Sequence, residues 1–245
     1  MADESIAHEN KIPTGSKILD AMLEGGYEKD AITTIYGPAG AGKTVLCLLA
    51  AMTMSRSGKK VIYVDTEGGF SVERLKQISE SIKHDYKKIL DNIIFLKPTV
   101  FEEQKKSFEK LKELVNDKIG LIIVDTIAML YRIEMGKSEE VQGVNRELAS
   151  QISYLTEIAR KKNIPILITN QVYADFEEKG KVNIVGGDIL KYGSKCLIEL
   201  QITPNGNRRL ILRKHRSIKP EQEFIYTIVE GGILGTKESR VFRLF

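Results

Sequence analysis

Two kinds of hydrophobic pattern alternate along the chain. Short, nearly unbroken apolar runs rich in β-branched residues occur at "ITTIY" (32–36), "VIYVD" (61–65), "IIFL" (93–96), "GLIIVD" (120–125) and "PILITN" (165–170). Runs of this kind predict parallel strands covered on both faces. Between them, apolar residues return every three or four positions. Val144, Leu148, Ile152, Leu155 and Ala159 mark one face of a helix over 141–162, and Phe101, Phe108, Leu111 and Val115 mark an earlier one. Past residue 195 the pattern changes to "CLIELQI", "RRLILR", "EFIYTIV" and "RVFRLF", joined by the turn signals "PNGN" and "EGG". The fold class this predicts is α/β, a mostly parallel sheet flanked by helices, with a β-rich C-terminal extension. No repeat, linker or compositional boundary divides residues 1–245, so a single domain is expected, preceded only by a short polar tail at 1–11.

Composition narrows this little. The net charge of +4 permits anionic partners without demanding them. Cys47 and Cys196 both lie in apolar runs and predict two buried thiols, not a disulfide or a metal site. The longest apolar run, "VLCLLAAMTM", is too short to span a membrane, and the polar start "MADESIAHEN" is no signal peptide. A cytoplasmic protein is expected.

The chemistry begins at "YGPAGAGKT". Gly37, Gly42, Lys43 and Thr44 satisfy the spacing of a phosphate-binding loop, between a predicted strand and a helix over 43–57. Glycines let such a loop curl until consecutive amides face one anion, and the helix N-terminus adds its positive end. The nucleotide contacts then run through Gly37, Pro38, Ala39, Gly40, Ala41, Gly42, Lys43, Thr44 and Val45. Lys43 reaches the β- and γ-phosphates of ATP, and the Thr44 hydroxyl ligates Mg²⁺. Asp125 ends a buried strand where ligands collect in open α/β sheets, and is the second Mg²⁺ residue. Asp65 and Glu67 end another strand. Glu67 is the expected catalytic carboxylate, orienting or deprotonating the attacking water, whereas Asp65 has a structural role. Thr66 and Ser71 compete as caps of the following helix. Asn170 and Gln171 suit a sensor that hydrogen-bonds both a γ-phosphate and a loop, or else a plain polar turn. Glu67, Lys43 and Gln171 thus form the expected catalytic set.

The strings "IPTGSKILDAML", "IYGPAGAGKT", "YVDTEGGFSVERL", "LIIVDTIAMLYR", "ILITNQV" and "VGGDIL", in this order, resemble the RecA-type recombinase superfamily, in its RadA-like archaeal and eukaryotic branch. "LRKHRS" (212–217) and the compact length are most similar to the short archaeal paralogues of that branch. The resemblance implies a RecA-type ATPase core in which the strand ending at Asn170–Gln171 separates the phosphate-loop strand from the one ending at Asp125. It implies that Glu67 is the catalytic glutamate and that Arg74 lies against adenine. It makes 131–143, with Arg132, a first DNA-facing loop and 172–187 a second. Pro220 would belong to a cap over a neighbouring subunit's nucleotide. The chain departs from the branch in lacking an N-terminal helix–hairpin–helix domain and any Phe in residues 1–11. Asp175, Glu177 and Glu178 in the second loop, and Glu134, Glu139 and Glu140 in the first, would repel phosphates.

Between Asn205 and Pro220 stand six Lys/Arg residues and no acid. Three readings follow. Arg213, Lys214 and Arg216 contact DNA phosphates; or Lys214 or Arg216 reaches a neighbouring subunit's γ-phosphate; or the cations only protect a solvated strand edge. His215 reads as an incidental surface residue. The expected function is a weak ATPase that binds single-stranded or branched DNA and assists recombination and repair. Its partners would be the main RadA-type recombinase and a Holliday-junction resolvase such as Hjc, with self-association possible through the RecA-type interface. Two other readings are a filament-forming strand-exchange recombinase and a signalling ATPase or autokinase resembling the KaiC group.

Overall fold

The computed structural model describes residues 10–137, 141–174 and 182–236. At the start, β1 (Lys11–Ile12) pairs antiparallel with β2 (Tyr27–Glu28) around the short helix α1 (Lys17–Met22). The core then builds as β3 (Ile32–Tyr36), α2 (Lys43–Arg56), β4 (Lys60–Asp65), α3 (Val72–Ser81), α4 (Tyr86–Leu90), β5 (Ile93–Leu96), α5 (Phe101–Leu114) and β6 (Ile119–Asp125). It continues through α6 (Met129–Met135), α7 (Val141–Lys162), β7 (Ile166–Asn170), β8 (Val172–Ala174), β9 (Val182–Ile184) and α8 (Gly187–Gly193). Four strands close the described chain: β10 (Cys196–Ile202), β11 (Arg208–Lys214), β12 (Glu223–Val229) and β13 (Gly232–Gly235).

Nine of these strands form one sheet in the order β13-β12-β11-β10-β3-β7-β6-β4-β5. Pairing is parallel from β10 through β5 and antiparallel from β10 to β13. The α/β class, the mostly parallel sheet and the C-terminal antiparallel strands are thus as the pattern predicts. The strand order is the one the resemblance implies, for β7 separates β3 from β6.

Side chains alternate across the sheet, and each face has its own core. Val61 and Tyr63 of β4 pack with Leu121, Ile123, Leu210, Leu212 and helix α2. Ile62 and Val64 point the other way, to Phe108, Leu148, Leu155 and Leu190 from α5, α7 and α8. Helix α2 is buried from Leu46 through Met52 without a break, because strands and helices surround it. Helix α3 starts at Ser71, whose side chain accepts from Arg74 N at 3.1 Å, so Ser71 is the cap.

Some expectations need correction. The expected first loop, 131–143, is largely helical: α6 ends at Met135 and α7 begins at Val141, and Tyr131 is buried with its hydroxyl bonded to Asn145. The second loop is in part a hairpin, β8 against β9, with the acids Asp175, Glu177 and Glu178 outside the described residues. The strand expected at "RVFRLF" also lies outside them. "GILG" forms β13 instead, against β12.

Candidate functional site

The ends of β3, β4, β6 and β7 converge at one rim of the sheet, and the candidate residues stand there. Residues 37–42 connect β3 to α2, whose first two residues are Lys43 and Thr44. Gly37 runs so close to β10 that a Cβ on it would meet Leu200 O at 2.4 Å, which no side chain survives. Gly42 takes the left-handed φ of 105° at the N-cap of α2, a conformation glycine adopts freely. Lys43 Nζ donates to Gly37 O (2.8 Å) and Pro38 O (3.0 Å). Burial lowers its pKa, and Glu67 and Asp125 act in the opposite sense. Both carboxylates assigned to the chemistry thus favour the charged form of Lys43.

Asp125 is buried at the tip of β6 and fully hydrogen-bonded. Thr44 Oγ1 and Tyr63 OH each donate to its Oδ2 at 2.8 Å, and Thr169 Oγ1 donates to Oδ1. Thr44 and Asp125 thus offer a hydroxyl and a carboxylate oxygen side by side. A hydroxyl and a carboxylate oxygen are hard donors of the kind that suits Mg²⁺, which keeps several waters and binds through one or two carboxylates plus phosphate oxygens, better than a cation needing an all-protein cage. No cluster of metal-ligating residues occurs elsewhere among the described residues.

Glu67 projects from the loop after β4 and is exposed. Its Oε1 accepts from Gln171 Nε2 at 2.7 Å and from Thr126 Oγ1 at 3.0 Å. The neighbouring Asp65 accepts from the amides of Gly69 and Phe70 and so shapes that loop, as a structural residue does. Thr66 does not cap the helix. Its hydroxyl donates to Thr126 O at 2.6 Å and accepts from Thr126 N, tying the ends of β4 and β6 together. Asn170 and Gln171 divide the expected sensor role. Gln171 holds Glu67, while Asn170 Nδ2 donates to Val185 O at 2.6 Å, where the β8–β9 excursion returns. Exposed Arg132 joins them in a small cleft lined by Ala128, Met129, Asn170, Gln171 and Val185.

The Rad51 family pattern matches residues 7–236. The chain belongs to the Rad51 family. Its sequence is 40% identical over 231 residues to the DNA repair and recombination protein RadB of Methanobrevibacter smithii, covering 92% of this chain and 96% of that protein. It is 42% identical over 217 residues to the protein of the same name from Methanococcus maripaludis, covering 88% and 97%. Among solved structures, one described as the crystal structure of the RadB recombinase superposes with a TM-score of 0.77 at 37% identity, covering 91% of this chain and 98% of that one. The fold is accordingly RecA-like.

This Rad51-family chain carries its basic patch in an unexpected setting. Strand β11 lies between β10 and β12, so edge protection does not explain its cations. Arg213 Nε meets Glu199 at 2.7 Å and its Nη1 meets Glu221. Arg216 pairs with Glu28 (2.9 Å) and Asp30 (2.7 Å). Lys214 Nζ donates to Lys191 O at 2.7 Å, and burial, then Lys195, lowers its pKa. The acids missing from 205–220 arrive from β2, β10 and the turn after β11. His215 is no incidental surface residue: its side chain is buried and Nδ1 accepts from the amides of Ser217 and Ile218. Pro220 is exposed in the turn between β11 and β12. Arg74 bridges α3 and the end of β12, donating to Gln77 Oε1 at 3.0 Å and to Val229 O.

Two residues at the phosphate loop have no signal in the sequence. Tyr226 OH of β12 donates to Ala41 O at 2.7 Å, and Arg208 Nη2 of β11 lies 3.4 Å from Gly40 O. Both Cys47 and Cys196 are free, buried thiols, as their apolar surroundings predict, and burial raises their pKa values. No helix among the described residues is long and apolar enough to cross a membrane.

Proposed function

We propose that the chain binds ATP with Mg²⁺, hydrolyses it slowly, and binds DNA as an accessory protein of recombination and repair. The observation that carries this reading is the joining of three strand ends and the first turn of α2 by side chains. Thr44 meets Asp125, and Gln171 meets Glu67 beside Thr126. Phosphate loop, acidic strand end, carboxylate and amide stand in the arrangement phosphoryl transfer requires.

The residues divide the work as follows. Backbone amides of residues 40–44 and the Lys43 ammonium hold the phosphates. Thr44 and Asp125 hold Mg²⁺, which neutralises charge on the phosphate oxygens when bound. Glu67 accepts the proton of the attacking water. Its orientation is fixed by donors on two different strand ends, so the carboxylate is aimed before substrate arrives. Gln171 donates to Glu67 and, one residue from Asn170, couples this site to the β8–β9 hairpin. Arg74 and the end of β12 supply the adenine side.

On the nucleic-acid side, exposed Arg132 stands beside Gln171, and Lys214 and the two paired arginines stand on or just after β11. The relatives named for DNA repair and recombination support this assignment. A main recombinase of the RadA type or a Holliday-junction resolvase such as Hjc is the protein partner we propose. Lys214 and Pro220 are the proposed contacts to a neighbouring copy's nucleotide. One relative described as a recombinase favours a second reading, strand exchange by a filament. Regular ATP-dependent filaments on DNA under the electron microscope would select it.

The test is DNA binding against salt, with and without ATP–Mg²⁺. Wild type is expected to bind with a steep salt slope. Arg132→Ala and the triple change of Arg213, Lys214 and Arg216 to Ala are expected to flatten it, by about one unit of slope per lost phosphate contact. DNA affinity that ignores both salt and these changes refutes the nucleic-acid half. Absence of ATP binding refutes the other half.

A further inference from the structure

The phosphate loop is held from outside by the C-terminal strands. Tyr226 is fully buried, and its hydroxyl donates to Ala41 O at 2.7 Å across 185 residues of sequence. Ile228, two positions along the same strand, lies so close to the loop that a Cβ on Gly42 would meet its Cδ1 at 3.2 Å. Arg208, on the adjacent strand β11, reaches toward Gly40 O at 3.4 Å. Strand β12 is therefore a wall behind residues 40–42.

A planar trans peptide points its carbonyl and its amide in opposite directions. The peptide joining Ala41 to Gly42 is not among the cis bonds. Anchoring the Ala41 carbonyl on β12 therefore turns the Gly42 amide to the other side, toward the mouth where the proposed reading seats phosphate. The left-handed Gly42 allows that plane to rotate, so it needs a second constraint. The hydroxyl supplies it.

We infer that Tyr226 is a positioning residue for nucleotide phosphate: through Ala41 it fixes the amide of Gly42, and so makes affinity for the phosphate chain depend on the C-terminal strands. This rests on the nucleotide-binding reading above. The tyrosine is suited to the role because burial raises its pKa, keeping the hydroxyl a donor at every physiological pH.

Tyr226→Phe removes the donor and leaves the ring in place. Tyr27→Phe is the control, since the buried Tyr27 hydroxyl has no hydrogen-bond partner among the described residues. Each is titrated with a fluorescent ATP analogue and Mg²⁺ at a temperature where circular dichroism shows it folded. Inorganic pyrophosphate is then used as competitor. The expected result is a loss of about three- to tenfold in affinity for Tyr226→Phe, with pyrophosphate losing the same factor and Tyr27→Phe unchanged. A role confined to the base would leave pyrophosphate competition untouched, and that outcome overturns the inference. So does wild-type affinity in Tyr226→Phe. Wild type that binds no ATP analogue defeats the site reading itself, a failure distinct from either.

Discussion

Glu67, Asp125 and Arg213 are each held by partners from other elements, and that sets what their loss should do. Glu67 keeps its place through Gln171 and Thr126. Glu67→Gln preserves size and loses the base, so ATP turnover is expected to fall about 10²- to 10⁴-fold with ATP affinity nearly unchanged. Equal losses in both would reassign Glu67 to binding. His215 gives a pH effect. Burial, with Lys11 and Arg216 acting the same way and Glu28 and Glu24 opposing, lowers its pKa in the folded protein. As pH falls below about 6.5, the unfolded chain takes up a proton there that the folded protein refuses. Stability is thus full above that value and is lost on acidification toward the folded-state pKa. Unfolding midpoints between pH 8 and 5.5 should fall less steeply in His215→Asn, whose oxygen can still accept from Ser217 and Ile218. At Glu199 the expectation is mechanical. It is buried while Arg213 is one-third exposed, so Glu199→Ala should destabilise by about 1–2 kcal/mol in chemical denaturation, less than a fully buried pair would.

Elements were legible wherever apolar residues repeat in one register. Strands 32–36, 93–96, 196–202 and 223–229 and the helix 141–162 lie where their patterns place them, because burial on one or both faces leaves a period that local sequence cannot hide. Leu148 and Leu155 are fully buried on the predicted stripe, so either change to Ala should cost about 2–5 kcal/mol of unfolding free energy. A cost near zero would place α7 outside the core. Other elements were illegible for stated physical reasons. Helix α6 is about two turns, too short to show a period, and β8–β9 is two three-residue strands. Glycine at both ends of "GILG" disguised β13 as turn. Residue spacing likewise placed Gly37, Lys43, Thr44 and Asp125 at one rim, but could not show that Glu28, Asp30 and Glu199 would come to meet Arg213 and Arg216. Pairs separated by up to 188 positions leave no trace in a local charge count.

Over the whole molecule, the proposed nucleotide site draws on residues 37–44 early in the chain and on Arg208 and Tyr226 of the C-terminal strands. Ligand that binds only the folded form stabilises it in proportion to occupancy. ATP–Mg²⁺ at 100 times its dissociation constant should add about 2.7 kcal/mol and raise the thermal midpoint by about 5–10 °C. Asp125→Asn should lose most of the Mg²⁺-dependent part, and a midpoint that ignores nucleotide would count against the site. One feature reaches further. At the tip of β7, adjacent residues bond to different elements: Gln171 holds Glu67 while Asn170 holds the returning end of the β8–β9 excursion at Val185. A single rigid strand end therefore serves two customers, and thermodynamics forbids it to favour one in secret. If the proposed nucleic acid rests on that hairpin and tightens ATP by some factor, ATP must tighten the nucleic acid by the same factor.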